Sequence, residues 1–274
     1  MRTISRRRFL ERSAGSAAAT GLGASALCAQ DWARQAVDKS PRRREWVTLK
    51  HGARAVESVV AYPQSRDKAP GVVVIHEIFG MTDWVEEIND EFAAAGYVAI
   101  APDLLSGMAP NGGRTKDLQG NAVGEAIRKL TPEQITADLN AAADYLKTLP
   151  ACNGKVCVVG FSWGGGQAFR FATERRDLAA AFVFYGTGPA PEAIPAIQAQ
   201  VYGFYGGSDA RVDATVPATQ EQMKAAGKFF ETVTYEGAGH GFMRSGDQPD
   251  AAEANKKARD AAWVRLKALR DKYR

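Results

Sequence analysis

From Gly71 onward the chain repeats one pattern: a short run of β-branched or aromatic residues, a break, then a stretch whose apolar residues recur at helical spacing. Residues 71 to 75 begin the series as an unbroken apolar run, as in a strand covered on both faces. Residues 82 to 95 set Trp84, Ile88 and Phe92 on one helical stripe, with Thr82 at the cap and Gly96 as terminator. Further strands are expected at 97 to 101, 156 to 159, 180 to 185, 201 to 205 and 229 to 235. Helices are expected at 131 to 149, near 212 to 226 and from about Ala251. The first of these opens with Thr131 as cap, Pro132 in the first turn and Gln134 closing a capping box. Ahead of the series, 45 to 50 and 55 to 62 read as a hairpin turning at His51-Gly52. Such alternation requires a mostly parallel sheet of about eight strands with helices on both faces. Ligands of these sheets bind at the carboxyl ends of the strands. The long irregular stretches 103 to 130 and 186 to 198 are therefore the expected walls of a site, and the second is too short for a lid domain.

The first 29 residues follow a different logic. Arg6-Arg7-Arg8-Phe9-Leu10 precedes a mildly apolar stretch of Ala, Gly and Ser that ends in Ala24-Ser25-Ala26, the three parts of a twin-arginine export signal. Cleavage after Ala26 or Ala29 fits, the twin-arginine translocase is the expected export partner, and the mature chain belongs in the periplasm or medium. Removing this segment takes away five arginines and one glutamate, so the formal charge of +4 falls to about zero. Basic character then gives no support for a nucleic-acid partner. Arg42-Arg43-Arg44 is expected to be a solvated face, within a polar tether or first turn over residues 30 to 44. Residues 45 to 274 make one domain, and no run is apolar enough for a stable membrane span. Cys152 and Cys157 leave a disulfide open, although Cys157 should be buried in a strand. No metal-ligand spacing is present.

Gly160-Phe161-Ser162-Trp163-Gly164 lies directly after a buried strand and opens a helix, the context in which a Gly-x-Ser-x-Gly turn raises its serine as a nucleophile. A serine hydroxyl needs a general base within reach and an acid to orient that base. Of three histidines, His51 falls in the hairpin turn. His76 ends a strand and reads as a structural residue beside the oxyanion hole. His240, in Gly239-His240-Gly241 after the last strand, is the expected base. Asp209 follows the preceding strand in Gly206-Gly207-Ser208-Asp209 and is preferred as the acid over Asp213, which should open the next helix, and over Glu236. Two backbone donors are needed for the oxyanion, one from Trp163 and one from the loop 76 to 80. The order Ser162, Asp209, His240 resembles that of α/β-hydrolases.

Together with His76-Glu77-Ile78-Phe79-Gly80 and Ala101-Pro102-Asp103-Leu104, these motifs resemble the dienelactone hydrolase family over roughly residues 45 to 270. The resemblance implies a lidless α/β-hydrolase fold, contact between Glu77 and the nucleophile, and an oxyanion hole that includes Ile78. It also implies that Arg244, four residues beyond His240, binds a substrate carboxylate, with Arg114 or Arg128 as a second clamp. Well-known members carry cysteine where this chain has Ser162. The expected activity is hydrolysis of a small ester or lactone without metal or organic cofactor. A broad carboxylesterase or polyester hydrolase, and a noncatalytic periplasmic binding protein, are the alternatives.

Overall fold

The computed structural model describes residues 30 to 274, so the expected export signal lies outside the described residues. The strands are β1 (Arg44–His51), β2 (Arg54–Ala61), β3 (Ala69–Ile75), β4 (Val98–Pro102), β5 (Cys152–Phe161), β6 (Leu178–Phe184), β7 (Gln200–Gly206) and β8 (Phe230–Tyr235). They form one sheet in the order β1-β2-β4-β3-β5-β6-β7-β8. The β1–β2 and β2–β4 pairs are antiparallel and the rest are parallel. The helices are α1 (Asp31–Lys39), α2 (Asp83–Ala94), α3 (Ala122–Lys129), α4 (Pro132–Thr148), α5 (Trp163–Glu174), α6 (Ala210–Asp213), α7 (Val216–Ala225), α8 (Phe242–Ser245) and α9 (Glu253–Arg270).

The central strands are apolar throughout because both sheet faces are covered. On β5, Cys157, Val159 and Phe161 face the layer of α2 and α9 with Trp84, Phe92 and Leu266. Val156 and Val158 face α4 and α5 with Leu139, Leu146 and Phe169. Burial of each such aliphatic side chain contributes about 1.5–3 kcal/mol. Thr131 caps α4 as expected, accepting from Gln134 N at 3.2 Å.

Local signals failed where the partner is distant in sequence. The expected tether is instead α1, which buries Ala33 and Val37 while Arg34 bonds Asp83 and Glu86 on α2. The run at 42 to 44 is a solvated face only at the exposed Arg43, since Arg42 and Arg44 bracket the buried Asp90 at 2.5 and 3.1 Å. The helix expected at 212 to 226 is broken into α6 and α7, because Pro217 in the first turn of α7 has no N–H to continue a helix through it. Cys152 and Cys157 are both buried and, among the described residues, unbridged. Cys152 packs beside Leu146 on the α4 face and Cys157 on the α2 face, so the sheet separates their thiols.

Around α2 and α9 three carboxyl groups, Glu87, Glu91 and Asp247, gather at one guanidinium, that of Arg259. Burial first, then the charges of Asp247 and Glu91, pushes Glu87 up to about 9, and its retained proton is given to Asp247. The folded chain therefore holds a proton that the unfolded chain releases, and stability falls as pH rises from the usual carboxylate range toward about 9. Glu87→Gln keeps a donor to Asp247 without the charge. In thermal melts its midpoint should exceed that of wild type by a margin that grows between about pH 5 and about pH 9; a margin constant with pH would exclude this origin.

Candidate active site

At the carboxyl end of the sheet, β5 stops at Phe161 and α5 starts at Trp163, leaving Ser162 alone at the turn with φ 55° and ψ −116°. A residue with a Cβ rarely adopts that conformation, and it is held here by neighbours on both sides. Ser162 N–H donates to Phe184 O at 3.0 Å and Gly166 N–H to Ser162 O at 3.1 Å. The flanking glycines are sterically required. A Cβ on Gly160 would stand 1.9 Å from Gly164 O, and one on Gly164 would stand 2.4 Å from His76 O. The spacing in Gly160-Phe161-Ser162-Trp163-Gly164 is thus a condition for helix and strand to meet this closely.

Ser162 Oγ lies 2.8 Å from His240 Nε2, and His240 Nδ1 lies 2.5 Å from Asp209 Oδ2. Asp209 follows β7 and caps α6, its other carboxylate oxygen accepting a long bond from Val212 N at 3.4 Å. His240 sits in the loop between β8 and α8, where Asn255 Oδ1 accepts from Gly239 N at 2.9 Å. Tyr185 packs edge-on against its ring. The three side chains reach one point from three separate strand ends. The rival acids lie elsewhere: Asp213 ends α6 rather than opening a helix, and Glu236 is exposed on the turn after β8. His51 is bonded to the buried Asp138 at 2.6 Å, and His76 is buried beneath the loop that follows β3.

A cleft of 730 Å³ opens over Ser162 and His240. Ile78 and Trp163, the expected oxyanion donors, line it, and Gly186 to Ala190 form one wall as expected. The stretch 103 to 130 does not line it. That segment instead carries α3, and its Thr115 braces the loop after β3 from behind. Arg114 stacks on the Trp46 ring at 3.7 Å, and Arg128 is exposed on α3, so neither enters the cleft. Tyr185 and Arg211 line the cleft and were missed in the sequence. Their positions directly after β6 and two residues beyond Asp209 were the available signals.

Glu77 is buried and engaged by Arg244, whose Nε donates to its carboxylate at 2.7 Å. It makes no hydrogen bond to Ser162, in contrast to the contact implied by the resemblance. The pair lies beside Gly241, whose Cβ position is 3.5 Å from Arg244 Nη2 and 3.9 Å from Glu77 Oε1. Burial disfavours the Arg244 charge, but the Glu77 carboxylate outweighs it and raises the Arg244 pKa.

An eight-stranded sheet in this order, with a serine turn after β5, an acid after β7 and a histidine after β8, defines an α/β-hydrolase fold. The sequence pattern of the Dienelactone hydrolase family matches residues 56–273. The chain belongs to the dienelactone hydrolase family. It is 31% identical to Carboxymethylenebutenolidase 1 of Cupriavidus pinatubonensis over 212 residues, 74% of this chain and 87% of that one. Among solved structures it resembles a dienelactone hydrolase-like promiscuous phosphotriesterase from metagenomic libraries, with TM-score 0.72 and 22% identity, covering 85% of this chain and 99% of that one. It also resembles dienelactone hydrolase from Anabaena variabilis, with TM-score 0.61 and 21% identity, covering 83% and 99%.

Proposed function

We propose that this hydrolase cleaves a carboxylic ester or lactone through an acyl-enzyme on Ser162. The observation that carries this reading is the unbroken hydrogen-bonded line Ser162–His240–Asp209 at the floor of an open cleft. Ser162 Oγ attacks the carbonyl carbon while its proton passes to His240 Nε2. Asp209 holds the Nδ1 side and stabilises the imidazolium that forms. The Ile78 and Trp163 N–H groups receive the oxyanion. Collapse expels the alkoxide, which takes the proton from Nε2, and a water then repeats the sequence to release the acid. A serine-directed fluorophosphonate should label the protein at Ser162 alone; a chain that stays unlabelled would be a binding protein on the same fold.

The substrate class turns on Arg244. An anionic lactone would use its guanidinium as a carboxylate clamp, whereas the observed pairing with Glu77 favours a broader esterase that takes neutral esters. If the clamp operates, Arg244→Ala lowers kcat/KM for an anionic lactone by about tenfold to a hundredfold and leaves a neutral ester within about twofold. Equal changes for both substrates would establish the broader reading.

A further inference from the structure

We infer that His76 is a positioning residue for the oxyanion hole, acting through the peptide bond between Glu77 and Ile78. The inference rests on the acyl-transfer reading of the same site. His76 is fully buried at the end of β3, and its Nδ1 lies 2.7 Å from Glu77 O. That carbonyl also accepts from Gly80 N–H at 3.2 Å. The Glu77 carbonyl and the Ile78 N–H belong to one planar trans peptide and point in opposite directions. Holding the carbonyl inward therefore aims the Ile78 N–H outward, on a residue that lines the cleft beside Ser162.

Several features give this contact its direction. With a carbonyl as partner, Nδ1 must carry the proton, and Nε2 is left as a buried acceptor without a partner among the described residues. Burial pulls the imidazole below its ordinary pKa, which keeps the ring neutral and the tautomer single. The same ring stacks on Trp163, with centroids 5.6 Å apart and planes 17° apart, and Trp163 supplies the second donor. The far end of the loop is fixed independently. Met81 N–H donates to Thr115 Oγ1, which donates to the buried Asp103 at 2.6 Å. The loop from 76 to 81 is thus anchored at both ends, and His76 is the anchor that sets the orientation of the donor peptide.

The test compares His76→Asn, whose Nδ2 can take the place of Nδ1, with His76→Leu, which fills space without a donor. With p-nitrophenyl butyrate, His76→Leu should lose about tenfold to a hundredfold in kcat at a KM within about twofold of wild type. Its Ki for butylboronic acid, which binds Ser162 as a tetrahedral adduct, should rise in parallel. His76→Asn should recover most of both. Wild-type kcat and Ki in a folded His76→Leu would overturn the inference, as would equal losses in the two variants at unchanged melting temperature. Should the leucine variant not fold, His76→Asn decides alone: near-wild-type kcat and Ki support the role, and loss of both in a stable protein refutes it. Turnover surviving in Ser162→Ala would instead strike at the hydrolase site itself, so the two failures are separable.

Discussion

Replacing Ser162 with alanine is expected to cut turnover of a small activated ester on the order of 10⁴-fold or more, with the melting temperature little changed. The two halves of this result have separate causes. In the proposed mechanism Oγ attacks the carbonyl and His240 Nε2, at 2.8 Å, takes its proton, so the substitution removes the proposed nucleophile. Stability is spared because alanine has the same Cβ and sits at φ 55° no less comfortably than serine. The bonds that fix the turn, from Ser162 N–H to Phe184 O and from Gly166 N–H to Ser162 O, are made by backbone atoms and survive. Steady-state kinetics beside a thermal melt checks both halves. Activity retained within about tenfold would remove Ser162 from the mechanism.

The second large effect is on folding. Gly164→Ala should lower the unfolding free energy by about 3 kcal/mol or more, measured by chemical denaturation. The added methyl would stand 2.4 Å from His76 O and 2.6 Å from Ile75 O, both backbone atoms at the end of β3 that no rotamer change can move. Relief requires α5 to slide away from the sheet, which also displaces Trp163 and the loop bearing Ile78. Gly166→Ala on the same helix is the control, because a Cβ there meets only ordinary contacts with Thr187 at 3.7 and 3.8 Å. Unfolding of the two variants at the same denaturant concentration would show that close approach at Gly164 is not what its glycine serves.

The legible parts of this chain were those whose cause is local or ordered along the sequence. Continuous apolar runs located β3 to β7 because burial on both faces leaves no polar position to interrupt them. The turn at Ser162 was readable from its glycines, and Asp209 and His240 from their places after successive strands. What escaped depends on partners far away in the chain. Arg42 and Arg44 look solvated until Asp90 is brought against them. Arg244 and Glu77 are 167 residues apart, and no spacing announces that they neutralise one another. The amphipathic character of α1 was too short to stand out from a polar tether, since only Ala33 and Val37 are buried on it. The stretch from 103 to 130 was misassigned for a related reason: lack of pattern identifies a long connection but not the side of the sheet end on which it settles.

Ser162 at φ 55° has a meaning for how such a chain can change over time. A non-glycine residue in that conformation costs about 1–3 kcal/mol, and glycine at the same position would recover much of it. Selection for heat resistance alone would therefore drift toward glycine here and deliver a hardier protein without the proposed nucleophile. Under the acyl-enzyme reading the strained serine is retained for the reaction proposed for it, and attempts to toughen this scaffold have to draw their gains from places remote from the turn.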